Sequence, residues 1–270
     1  MKRISLWIGA GLVAAVVLTA VVSMVWTPYS PTTVVPAERL QPPSGAHWLG
    51  TDGFGIDIAS RIMSGARVVL LVGIISVGIA AVIGVPLGMI AGMSGGIFSR
   101  LILRVGDVLY AFPALLLAIL LAAAVGGSTA TAMVAIGVAT IPVFIRITRA
   151  GTLQVMSQDY VLAARSSGTP WRQVALRHVL PNIAPLIGVQ ASMSFGMAIL
   201  AEAALSYLGL ASPPTTPTWG RMLYDAQKYL FNAPYLTVWP GAAVALGVLG
   251  FNVLGDGLRD YLDPRLREVS

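Results

Sequence analysis

The chain has 270 residues, of which 56% are hydrophobic and only 10% charged, and its mean hydropathy is +0.81. Soluble domains carry roughly 25% charged residues, so a water-soluble enzyme is excluded, and a disordered chain would be poorer in apolar residues. The net charge of +6 lies in short clusters between long uncharged runs, the pattern of membrane topology and not of a nucleic-acid-binding face.

The first apolar stretch, Ile4 to Trp26, follows Lys2 and Arg3. It is about 23 residues long, beyond the roughly 7–15 of a signal-peptide core, and no A-x-A site follows it, so it reads as an uncleaved first span. Pro28 and Pro31 end it. An outward segment with Asp52, Asp57, Arg61 and Arg67 comes next. The i, i+4 spacing of Asp57 and Arg61 predicts a short interfacial helix held by their ion pair. His47, beside Trp48, reads as a loop residue rather than a metal ligand.

A second span is predicted over Val68–Gly92, ended by Ser94-Gly95-Gly96. From Val108 to Ile145 no residue is charged. One helix over that run would be about 57 Å long against about 30 Å of hydrocarbon, so it must turn back. Val125-Gly126-Gly127-Ser128 is the turn signal, which places spans three and four at Val105–Ala124 and Thr129–Thr148. Asp107 is expected to pair locally with Arg104, and Pro86, Pro113 and Pro142 are candidate bends. Spans five and six follow at Ile183–Leu205 and Leu236–Leu254. The many Gly and Ala residues suit a tightly packed bundle.

Six crossings put both termini on one side. Lys2, Arg3, Arg100, Arg104, Arg146, Arg149, Arg165, Arg172, Arg177, Arg259, Arg265 and Arg267 lie on that side, against Arg39, Arg61, Arg67, Arg221 and Lys228 on the other. The positive-inside rule makes the richer side cytoplasmic. The expected organisation is residues 1–66 as first span plus outward segment, and 67–257 as a five-helix core with a cytoplasmic loop at 150–182 and an outward loop at 206–235. A cytoplasmic tail occupies 258–270.

In the cytoplasmic loop, Ser157 is placed to cap a helix through Ala164, Gly168 to end it in the left-handed conformation, and Thr169-Pro170 to start another. The second helix is expected to stop before Pro181 and to share one face among Trp171, Val174, Ala175 and His178. Such a helix–turn–helix is either a lever that transmits a push between two spans or an amphipathic elbow resting on anionic headgroups.

This loop resembles the E-A-A-x3-G-x9-I-x-L-P segment of ABC importer permeases, through Leu162-Ala163-Ala164, Gly168, His178 and Leu180-Pro181. Leu162 replaces the motif glutamate and His178 its isoleucine. Gly50–Gly73 resembles the G-T-D-x2-G-R-D block of dipeptide, oligopeptide and nickel permeases, with Ile56 for its arginine. Glu202–Leu223 and Asn252–Arg267 resemble later blocks of the same family. The resemblance implies an all-α, six-span, type I permease of the second, or C, subunit kind in the bacterial plasma membrane. It also implies a homologous permease, two cytoplasmic ATPases binding ATP and Mg, and an extracytoplasmic binding protein as partners. The substrate it implies is a peptide, with a nickel or metal complex as the alternative.

The resemblance marks Ala163, Ala164, Arg165, Gly168, Pro170, Trp171, Leu180 and Pro181 as ATPase-coupling residues. The chain lacks G-x4-G-K-[ST], so it builds no P-loop of its own. Glu202 is costly inside a span unless paired; it reads as one partner of a structural pair with a neighbouring helix, and it and Tyr207 are also candidates for the substrate pathway or gate. Asp57, Arg61 and Trp219, the last in a proline-stiffened loop, are candidates for binding-protein docking. No metal site or catalytic residue is expected in this chain. The competing class is a self-sufficient secondary transporter, which would show an inverted repeat and buried ionisable residues.

Overall fold

A computed structural model of the chain describes residues 2–213 and 215–262. Its helices are α1 (Lys2–Val25), α2 (Ile58–Met93), α3 (Ile97–Ala111), α4 (Ala114–Val125), α5 (Thr129–Met156), α6 (Asp159–Ser166), α7 (Trp171–Val174), α8 (Leu180–Tyr207), α9 (Trp219–Ala226) and α10 (Tyr235–Leu262). Five helical stretches are long and apolar enough to cross a membrane, and the bent α3–α4 pair brings the number to six if it counts as one span.

Helix directions support counting it so. On α2 and α5 the contacts advance together: Gly84 meets Ile141 and Phe144, Gly88 meets Ile145 and Thr148, and Gly92 meets Arg149 and Thr152. The two helices therefore run parallel, and the chain must return across the bilayer between them. The i, i+4, i+8 glycines allow this approach, since a Cβ at Gly88 would lie 2.7 Å from both the Ile145 carbonyl and the Thr148 Cβ. By the same reading α5 and α8, α8 and α10, and α1 and α10 are antiparallel. Gly9 meets Leu254 and Gly257 meets Leu6, so α1 lies along α10.

Several boundaries differ from expectation. Asp57 caps α2 by accepting from the Ser60 N–H at 2.8 Å, so this helix starts ten residues before Val68 and there is no separate interfacial helix. The Asp57–Arg61 pair does not form: Arg61 turns to Asp52 and Asp225, and Arg67 bonds Ser23 of α1. The third span is not one helix over Val105–Ala124. It bends by 87° between α3 and α4, because Pro113 drives Phe112 out of the helical region to ψ 133°. Asp107 pairs with Arg146 of α5 at 2.7 Å and not with Arg104.

Past Thr148, α5 continues to Met156, and α10 runs beyond Leu254 to Leu262, so a boundary at 258 falls inside a helix. Arg265 and Arg267 lie outside the described residues. Two buried hydroxyls are satisfied across helices: Ser76 donates to the Met133 carbonyl at 2.8 Å and Ser192 to the Phe251 carbonyl at 2.7 Å. Phe195 stacks on Phe251 at 4.0 Å between centroids.

Candidate functional site

Three places gather the candidate residues. The first is the two-helix element after α5. Ser157 ends α5 instead of opening the next helix, and Gln158 precedes α6. Gly168 takes φ +78°, as expected of a helix-ending glycine, and its N–H reaches the Arg165 carbonyl at 3.0 Å. Pro170 then accepts the N–H groups of Gln173 and Val174 at 2.8 and 3.0 Å, closing the first turn of α7. Val161, Val174 and Val179 are fully buried and join Val155 and Ile183 in one apolar cluster, which pins the element to α5 and α8. Of the expected stripe only Val174 is wholly buried.

The outer surface of the element is open. Ala163 and Arg165 are exposed, as are Leu162 at 45% and Trp171 at 49%. The Arg165 guanidinium stands 4.7 Å from the Trp171 ring and so bridges the turn. An apolar side chain therefore faces outward where the motif has glutamate.

The second helix of the element does not stop before Pro181. A π-helical turn, Ala175–Val179, carries it into α8, giving one helical stretch from Trp171 to Tyr207. Pro181 has no N–H for the carbonyl four residues back and its ring crowds that carbonyl. The chain widens instead, with the Leu180 N–H bonding the Ala175 carbonyl, and the Asn182 side chain caps His178 at 2.6 Å. Leu-Pro reads as a stop in the sequence, but the π turn lets the helix continue through it.

The second place lies between the segment before α2, the start of α2 and α9, where charges are buried rather than displayed. Asp57, Arg61 and Trp219 are 3, 4 and 2% exposed. Arg61 bonds Asp52 and lies 3.7 Å from Asp225, which also meets Arg221 at 3.2 Å. His47 lies between Asp57 at 3.0 Å and Glu38 at 3.4 Å and against the Tyr29 ring. Trp219 donates from Nε1 to the Ile62 carbonyl at 3.0 Å. These side chains bind the outward segments together. Asp225 carried an i, i+4 signal toward Arg221, but nothing in the sequence joined it to Arg61, which is far away in the chain. Among the described residues no group of three His, Asp or Glu side chains is arranged to hold a metal ion.

The third is Glu202, which has no exposure. Ser206, one turn on, donates to its Oε1 at 2.6 Å, and Thr218 lies beside it; the pair with a neighbouring helix is absent among the described residues. Tyr207 is 40% exposed and meets the Tyr224 ring edge-on at 6.3 Å. Glu202 and Tyr207 thus sit at one end of α8 but in opposite environments.

Residues 84–268 match the family described as binding-protein-dependent transport system inner membrane component. The chain belongs to this family. The matched residues contain the two-helix element, Glu202 and α9, whereas Asp57 and Arg61 precede them. The inner membrane component is 41% identical, over 96% of this chain and 86% of the relative, to the dipeptide transport system permease protein DppC of Alkalihalophilus pseudofirmus. It is 44% identical, over 89% and 80%, to the glutathione transport system permease protein GsiD of Pectobacterium atrosepticum. In fold it is similar to a chain of the MetNI methionine ABC transporter in an inward-facing conformation, with a TM-score of 0.62, 18% identity, and coverage of 78% of this chain and 96% of that one.

Proposed function

We propose that this inner membrane component is the permease subunit of an ATP-driven peptide importer. It forms the passage with a homologous permease and takes its power from two separate cytoplasmic ATPases, while an extracytoplasmic protein delivers the substrate. Peptides are favoured by relatives named for dipeptide and glutathione transport, each matched over most of its length. The bias of basic residues toward Arg149–Arg177 and both ends of the chain supports cytoplasmic termini.

One observation carries the mechanism: α7, the π turn and α8 are a single helical stretch from the exposed element to the level of Glu202. Displacing the element displaces the span, because no flexible joint lies between them. Ala163, Ala164 and Arg165 on α6 and Trp171 on α7 present the surface for an ATPase. Gly168 and Pro170 set the angle between the two helices, and Leu180 with Pro181 forms the junction to the span. Movement of α8 then repacks α5 and α10, opening the passage alternately to each side. At the outer face the binding protein meets segments whose positions are set by Asp57, Arg61 and Trp219.

The test is to reconstitute the importer with Gly168→Pro. Proline cannot adopt φ +78°, so the turn breaks while the valine anchors remain. Peptide uptake should collapse with all subunits still co-purifying; unimpaired uptake would overturn the lever.

A further inference from the structure

Glu202 is a buried acid to which the lever assigns no task. It has no exposure, so no substrate reaches it in this arrangement. Ser206 donates to its Oε1 at 2.6 Å, while Oε2 is buried and makes no hydrogen bond among the described residues. The Thr218 hydroxyl lies beside the same carboxyl. Its oxygen already accepts the Arg221 N–H at 3.1 Å as the cap of α9, so its hydrogen is the part still uncommitted. A buried carboxyl oxygen without a donor is costly, and here a free donor stands next to a free acceptor.

The two residues sit on helices fastened to different parts of the chain. Glu202 lies on α8, which is continuous with the two-helix element. Thr218 opens α9, and α9 is tied to α2 at both of its ends. Trp219 donates from Nε1 to the Ile62 carbonyl at 3.0 Å, and Asp225 lies 3.7 Å from Arg61. On its other side α9 rests directly on the α8 backbone, since a Cβ at Gly220 would stand 2.3 Å from the Ala203 carbonyl oxygen. Between Glu202 and Thr218, therefore, the helix that continues the two-helix element meets the helix that holds Arg61.

We propose that Glu202 is a positioning residue of the transport cycle: its Oε2 takes the Thr218 hydroxyl in one transport state and releases it in the other, so that α9 is fastened to α8 and freed in turn. The proposal rests on the importer reading above. When the bond is made, the connection 208–217 is drawn closed at its base, and displacement of α8 passes through α9 to Arg61 and the segment before α2. When it is open, as here, α8 moves without carrying that segment. A hydroxyl suits such a joint better than a cation would. Ser206 keeps the carboxyl in place on its own helix, and release strands no buried charge on α9.

The experiment uses the complete importer with its companion permease, ATPases and binding protein in proteoliposomes, and a labelled dipeptide. Thr218→Val removes the donor at nearly the same volume. It should lower uptake, and the ATP hydrolysis evoked by loaded binding protein, about tenfold, the scale of one hydrogen bond to a charged group. Hydrolysis without binding protein should be unchanged, and Thr218→Ser, which keeps the hydroxyl, should behave as the unaltered chain. Glu202→Met leaves the cap of α9 intact and should give the same loss of uptake. The double variant Glu202→Met with Thr218→Val should lose no more than either single one, because both remove one bond. Its Tm should not fall, since replacing both partners by apolar groups is close to neutral for folding.

Because the chain has no cysteine, spin labels on Leu208→Cys and Gln227→Cys, both at exposed positions, follow α8 against the end of α9 in a complex whose other subunits carry none. Two distances are expected for the unaltered complex, one at rest and one with ATP held, and only the longer of them for Thr218→Val. Undiminished uptake by Thr218→Val, losses that add in the double variant, or one distance in both states would each overturn the joint. Absence of ATP-driven peptide uptake by the unaltered complex would overturn the importer reading itself and the joint with it, so the two failures are told apart by that control.

Discussion

The two ends of this bundle use charge in opposite ways. At the end that holds α9 and the start of α2, Asp52, Asp57 and Arg61 are all under a tenth exposed; Asp52 and Asp57 pair with Arg61 and His47 nearby in the chain, and Arg61 also reaches the distant Asp225. At the two-helix element Arg165 and Trp171 are exposed and meet across a single turn, and the anchoring is done by three buried valines. A buried network fixes segments to one another because breaking one member strands the rest. An apolar anchor with an open, charged outside keeps its shape while offering itself to a partner. One end is built to stay together, and the other leaves an open surface.

That contrast can be broken most strongly at Arg61. Arg61→Met leaves the buried Asp52 without its cation, while Asp225 keeps Arg221, and should cost about 3–5 kcal/mol. It should be read as a large fall in the Tm of the purified complex, with loss of yield. A change of less than a degree would show that the outer charges are dispensable. A smaller loss is expected for Trp219→Phe, which keeps an aromatic ring but abandons the Ile62 carbonyl. It should cost about 1–3 kcal/mol, measured by the same melting experiment.

Arg165→Ala, at the other end, removes only an exposed cation–π contact worth about 0.5–1 kcal/mol. The Tm should hardly move while ATP-driven uptake falls, as the coupling role proposed above requires. Equal and large losses of Tm from Arg61→Met and Arg165→Ala would erase the distinction between the two regions.

Much of this arrangement is legible in the residues. The uncharged runs locate every span, and Val125-Gly126-Gly127-Ser128 locates the turn before α5. Gly168 announces the left-handed turn it makes. Local pattern fails where a helix runs past its uncharged core: α2 starts ten residues before Val68 and α5 runs eight past Thr148. Arg61, Arg146 and Arg149 all lie inside helices, and for Arg61 and Arg146 the partners that permit this come from elsewhere in the chain. Local pattern also fails at Pro181, where a π turn lets the helix continue.

Sequence by itself determined what depends on neighbours along the chain: the apolar spans, the basic bias between their ends and the turn at Gly168. Only the tertiary structure decided which charges are buried, that α2 and α5 run parallel through a glycine stripe, and that Asp107 meets Arg146. Hydrophobicity and backbone propensity are local quantities and can be read in order. The cost of burying a charge depends on a partner that folding alone brings within reach.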